Sequence, residues 1–326
     1  MKTITYLLLF AGLALFTVLI GYHGFVDVAA ALVVCGWGFI WITFFHFLPL
    51  AADAMGWRRL WIAGERPSFA VMLWARWIGE SVDGLLPVAQ VGGALIKARL
   101  VAQQGFPGAV AGASVVVELT IAVFTLIVFS FMGIGLLLGV GGHELVTVLL
   151  IGLGVLGILI GCFFFVQRKG FFGWITGTLT GLAGNRDWRQ LVGGAAQLDQ
   201  AILNIYKNRR ALLSGSIWLL LGWVSGTGEV WLAMYFLGSP VSLAEALLLE
   251  SLGQAARLAA FLIPGALGVQ EGCYLALGGL LGLTPQLALA LSLTKRVRVL
   301  LWGIPGLLAW QVAEGRRLLA DRGEIA

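Results

Sequence analysis

The sequence predicts an all-α integral membrane protein, a polytopic helical bundle, on three observations. Apolar residues make up 60% of the chain and charged residues 11%, with a mean hydropathy of +0.95, a composition that leaves too little polar surface for a soluble domain. Apolar runs of about 20 residues, the length that crosses a bilayer, recur along the chain. Lys and Arg collect in a few of the connections between those runs, the bias that marks cytoplasmic loops. The 46 glycines and 13 tryptophans suit the class, since glycine lets helices approach closely and tryptophan favours the headgroup boundary. The net charge of +5 is therefore an orientation signal, and no nucleic-acid partner is expected. Cys35, Cys162 and Cys273 stand in separate apolar stretches, so neither a disulfide framework nor a thiolate metal site is expected. His23, His46 and His143 match no metal or acid–base spacing. No metal or cofactor is expected.

Taken in order, residues 4–21 read as a first span rather than a signal peptide, because the start carries one base, Lys2, and no small-residue cleavage pattern. Residues 28–50 cross back after a connection with Asp27 and no base, which belongs outside. The next loop holds Arg58, Arg59 and Arg66 beside Trp57 and Trp61, a cytoplasmic interface with an aromatic anchor, so the N-terminus is cytoplasmic. Residues 69–107 are interrupted. Their centre, WIGESVDGLLPVAQVGGALIKAR (77–99), sets acids, a proline, paired glycines and bases close together, and Lys97 and Arg99 return the chain to the cytoplasm as a hairpin.

Residues 108–139 then cross outward with Glu118 inside them, and 145–167 return to the most basic loop, with Arg168, Lys169, Arg186, Arg189, Lys207, Arg209 and Arg210. Within that cytoplasmic insert, about 168–210, Trp188, Leu191, Val192, Ala195, Leu198, Ile202 and Ile205 recur at helical spacing. This predicts an amphipathic helix anchored on the inner leaflet. Residues 211–238 cross outward with Glu229. Residues 242–284, containing ESLGQAARLAAFLIPGALGVQEG (250–272), form a second interrupted region, and 285–311 are the last crossing before a cytoplasmic tail, 313–326. The parity closes only if the second hairpin enters and leaves from outside.

That bookkeeping gives two inverted-topology repeats, 1–140 and 145–312, each with two spans, a re-entrant or broken-helix hairpin and one further span. Pro87 and Pro107 are 20 residues apart, and Pro264 and Pro285 are 21 apart. Seven residues before the first proline of each pair stands a charge, Glu80 or Arg257; eleven after the second stands Glu118 or Arg296. The matched charges are opposite in sign. A pseudo-twofold axis then predicts Glu80 facing Arg257, and Glu118 facing Lys295, Arg296 or Arg298 near the midplane. A charge within a span costs roughly 2.5–3.5 kcal/mol on insertion scales, so these groups face protein or a cavity rather than lipid. With Asp83, Gln270 and Glu271 they form the candidate translocation site. Pro87, Gly92 and Gly93 in one hairpin, and Pro264, Gly265 and Gly268 in the other, are the expected breaks and hinges. Arg76, Lys97 and Arg99 are expected at lipid headgroups. The structural alternative is that the charged pairs set helix register without touching substrate, and that Gln270 and Glu271 serve a helix start, where a carboxylate stabilises the dipole.

Two motifs carry a resemblance. LLPVAQVGGALIKARLV (85–101) and IPGALGVQEG (263–272), with Arg296 and Arg298 in the last span, resemble the lysylphosphatidylglycerol synthase transmembrane, or flippase-like, family of bacterial inner-membrane proteins. By span order the resemblance runs from about residue 4 to 312, and PVAQVGG is similar to the branch associated with hopanoid biosynthesis. Gly93 and Ala94 stand where many members carry an acid. The soluble aminoacyl-transferase domain of full-length synthases is not expected, so aminoacyl-lipid synthesis is not either. The resemblance implies a bacterial inner-membrane protein that moves or handles lipid between leaflets, with polar or hopanoid-type membrane lipids as partners.

Two other classes stay open. A lipid transferase would use Glu80 or Glu271 as base and Arg257 to hold a phosphate, although no nucleophile–base motif is present. A scaffold would hold soluble lipid-biosynthetic enzymes through the basic loop. No phosphate-cradling loop motif supports direct ATP use, whereas proton coupling through Glu80, Glu118 or Glu271 is compatible with the sequence.

Overall fold

The structure, a computed structural model, describes residues 25–62, 64–86, 92–171, 188–260 and 263–323. Among the described residues the regular structure is helical throughout. The helices are α1 (Phe25–Cys35), α2 (Gly38–Phe45), α3 (Phe47–Arg59), α4 (Phe69–Leu85), α5 (Gly92–Gln103), α6 (Gly108–Gly139), α7 (His143–Arg168), α8 (Trp188–Lys207), α9 (Arg209–Phe236), α10 (Leu243–Ala259), α11 (Val269–Leu280) and α12 (Pro285–Gly323). Four stretches are long and apolar enough to cross a membrane: Gly38–Arg59, Gly108–Gly139, Leu149–Arg168 and Arg209–Phe236. The chain is thus an all-α multipass membrane protein. The expected first span, 4–21, and the hairpin residue Pro87 lie outside the described residues.

The run expected as one crossing, 28–50, is divided. Gly36, at φ 45°, ends α1, and the helix breaks again at His46. Pro49 explains the second break, because it lacks the N–H that would close onto the carbonyl of Phe45. The crossing therefore extends to Arg59, and His46 is left at a joint inside it.

Two close helical hairpins are present among the described residues. In the first, α4 and α5 run antiparallel with the Gly79 carbonyl against Gly93: a Cβ on Gly93 would stand 2.1 Å from that oxygen. In the second, α10 and α11 are joined through a 3₁₀ turn, Pro264–Ala266, and Gly253 meets the ring of Tyr274. The hairpins then pack crosswise. Helix α4 lies against α3 and α12, α10 lies against α9 and α6, and α3 packs along α9. Helix α7 turns Ile151, Val155, Ile158 and Leu159 outward, an apolar surface suited to lipid.

Helix α8 departs from expectation. The second half of its apolar side is covered by protein: Leu198, Ile202 and Ile205 join a core cluster with Leu60, Ala113, Val117 and Leu219. Over that half the amphipathic pattern reports docking on α6 rather than an apolar face laid on the leaflet.

Helix α10 begins with a complete capping box, in which Ser242 Oγ accepts the Glu245 N–H and Glu245 accepts the Ser242 N–H at 2.7 Å. Ser242→Ala is expected to cost about 1 kcal/mol, read as a lower unfolding temperature in detergent. An unchanged temperature would show that tertiary packing alone holds the start of α10.

Candidate functional site

The polar residues of the spans converge on a cavity of about 250 Å³ whose lining comes from α3, α4, α6, α9, α10 and α12, with His46 at the α2–α3 joint. Burying this many charges is costly unless each is paired and hydrogen-bonded. The fold meets that requirement in three groups.

The first joins α3, α4, α5 and α6. Arg76 donates to Asp53 at 2.6 Å and to Glu118 at 3.3 Å, and Lys97 donates to the other Glu118 oxygen at 2.6 Å. The Lys97 ammonium also lies over the Trp57 ring, 5.2 Å from its centre. The second group joins the α2–α3 joint with α4, α9 and α12. His46 Nε2 is 2.8 Å from Glu80 and Nδ1 is 2.9 Å from Glu229, while Arg298 donates to Glu229 at 3.1 Å and to Glu80 at 3.3 Å. The ring of His46 thus bridges the two carboxylates, and Arg298 Nη1 also lies 3.2 Å from its Nε2. The third is the close Lys295–Glu250 pair, to which Gln254 adds a 2.8 Å hydrogen bond.

Glycines on α9 make room for these acids. A Cβ on Gly222 would stand 2.3 Å from an Asp53 oxygen, and one on Gly226 would stand 3.1 Å from Glu250. Asp83 also lines the cavity and accepts the Gly93 N–H at 2.8 Å. Arg257 stands apart: it lines the cavity, and no hydrogen bond or ion pair joins it to any described residue.

Several expected partners are exchanged. Glu80 pairs with His46 and Arg298 rather than Arg257, although both line the cavity. Glu118 pairs with Arg76 and Lys97, not with Lys295, Arg296 or Arg298. Arg76 and Lys97, expected at headgroups, are inside the protein because Glu118 is; only Arg99 is at the surface, 56% exposed and bonded to Glu314. Arg296 and Glu271 lie at the tip of the second hairpin. Glu271 is fully buried, caps α11 by accepting the Gly268 N–H at 2.7 Å, and accepts from Ser292 and Arg296 at 2.8 Å each. Arg296 also donates to the Gly265 carbonyl. Gln270 is buried beside them. Gly265 and Gly268 have φ of 65° and 80°, values that glycine adopts without a Cβ penalty, and Gly92 opens α5.

Sequence reasoning missed His46, Asp53, Glu229 and Glu250 as members of the site. Asp53, Glu229 and Glu250 were visible as acids in or beside apolar stretches, but nothing local tied them or His46 to one site. Among the described residues no group of three or more acids, histidines or cysteines is disposed to hold a metal.

The fold and site define a multipass helical membrane protein built around charges paired inside its spans. The family described as the lysylphosphatidylglycerol synthase TM region has a model that matches residues 9–306. The chain belongs to that family, which places it among membrane proteins of lipid handling or synthesis. No curated protein and no solved structure matches it.

Proposed function

We propose that this protein is an inner-membrane lipid translocase, which moves a polar lipid between leaflets by exposing its central cavity alternately to the two sides. One observation carries the reading: a charged cavity inside the spans is walled by α4 and α10, one helix from each hairpin. A water-excluding bilayer gives such a cavity no structural purpose that an apolar core would not serve better. The two inverted repeats, 1–140 and 145–312, belong to the same proposal. They are supported by reciprocal packing, in which the hairpin helix of each half lies on the last long helix of the other, α4 on α12 and α10 on α6. Helices α3 and α9 meet between them. The protein acts here as a carrier, both termini are cytoplasmic, and a hopanoid-type lipid is one polar lipid it would handle.

The test is leaflet-resolved movement of headgroup-labelled lipids in vesicles holding the purified protein. The native chain is expected to speed movement at least tenfold, and Glu80→Gln, which unties α4 from His46 and Arg298, to lose most of that gain. No acceleration for any lipid by folded protein would sink the proposal.

A further inference from the structure

We infer that Arg257 receives an oxyanion, the phosphate ester of a lipid headgroup, within the central cavity. The inference rests on the translocase reading and narrows its substrate. Every acid lining the cavity already accepts from a cation, a histidine or a backbone N–H: Asp53 from Arg76, Glu118 from Arg76 and Lys97, Glu80 and Glu229 from Arg298 with His46, Glu250 from Lys295, and Asp83 from Gly93. Arg257 is the lining cation left with no such bond to a described residue. A guanidinium is costly to leave unpaired inside a membrane protein.

The nearest charges leave Arg257 unclaimed. Arg298 and Arg296 are like-charged neighbours of Arg257, and Glu80, the acid that attracts it, is already engaged by His46 and Arg298. Arg257 sits in the last turn of α10, where the helix dipole stabilises a cation before any ligand arrives. Its planar fork matches two oxygens of a phosphate. At about 250 Å³ the cavity is below the range of drug-sized ligand sites, so it admits a small headgroup and leaves the tails outside. A neutral headgroup would leave Arg257 as it is, which turns the substrate preference from uncharged polar lipids to phosphate-bearing ones.

The experiment measures binding to purified protein in detergent for phosphatidylglycerol, diacylglycerol with the same tails, and inorganic phosphate. Native protein, Arg257→Gln, Arg257→Lys and the exposed-loop control Arg66→Gln are compared, each checked for folding by thermal unfolding. Phosphatidylglycerol is expected to bind at least tenfold more weakly to Arg257→Gln, with Arg257→Lys between and Arg66→Gln unchanged. Equal binding by native and Arg257→Gln protein, or equal binding of diacylglycerol, overturns the inference. Inorganic phosphate binding as tightly as the lipid overturns the headgroup assignment in favour of a free anion. Lipid movement in vesicles separates the two claims: movement unchanged in Arg257→Gln removes the anion site and leaves translocation standing. Arg257-dependent binding without movement keeps the site and removes the translocase.

Discussion

Glu118→Gln is expected to destabilise the protein by about 3–5 kcal/mol, the usual cost of breaking a buried charge network by removing one partner. Glu118 is 1% exposed and receives both Lys97 and Arg76. Arg76 retains Asp53, but Lys97 is left as a buried ammonium with a neutral amide oxygen in place of its carboxylate, supported otherwise by the Trp57 face and the more distant Asp83 charge. The loss is therefore charge rather than volume, and a second change checks it. Glu118→Gln combined with Lys97→Met is expected to recover at least half of the lost stability, measured by thermal or denaturant unfolding in a fixed detergent. Failure of the double variant to recover would mean that Glu118 is held by something other than its two cations.

Gly93→Ala is the second large effect. The added carbon would stand 2.1 Å from the Gly79 carbonyl oxygen and 2.3 Å from an Asp83 oxygen, and the first of these belongs to backbone that cannot rotate away. Overpacking of a well-packed site costs about 1–3 kcal/mol and more where the backbone must shift. Here α4 and α5 have to separate and the Gly93–Asp83 hydrogen bond is strained with them. A loss of about 3 kcal/mol is expected. Gly154→Ala, on α7 with nothing within 4 Å of the added carbon, is the neutral control. A Gly93→Ala protein as stable as native would show that the hairpin is looser than its geometry.

What the sequence made legible follows from which signals are local. The hairpins were readable because Gly92-Gly93 and Pro264-Gly265 interrupt apolar runs at single positions, and the crossing at 108–139 coincides with α6 because nothing interrupts it. Residues that had to be sheltered were also readable, since Glu80, Glu118 and Arg298 declare their cost by standing in apolar stretches. Their partners were not. His46 and Glu229 are 183 positions apart, and no periodicity links them. Arg76 and Lys97 read as interfacial because long basic side chains can snorkel to headgroups; only the position of Glu118 in three dimensions draws them inward. Helix α8 shows the same limit in reverse, because an apolar stripe specifies burial without specifying whether lipid or protein supplies it.

The packing of α2 and α3 along α9 has a mechanical consequence. Notches and knobs alternate down this antiparallel pair: Gly38 takes Phe236, Gly228 takes Phe45, Gly222 takes Asp53, Gly56 takes Leu219 and Gly215 takes Leu60. Glycine supplies two of the notches from α2 and α3 and three from α9, so the two sides interlock like the teeth of a rack. To slide, all five knobs would have to climb out together and travel a full turn, about 5.4 Å, before meeting the next row. Small axial displacements are therefore blocked. Under the translocase proposal, opening of the cavity would therefore fall to the walls on either side of this pair, α4 with its hairpin and α10 with its own.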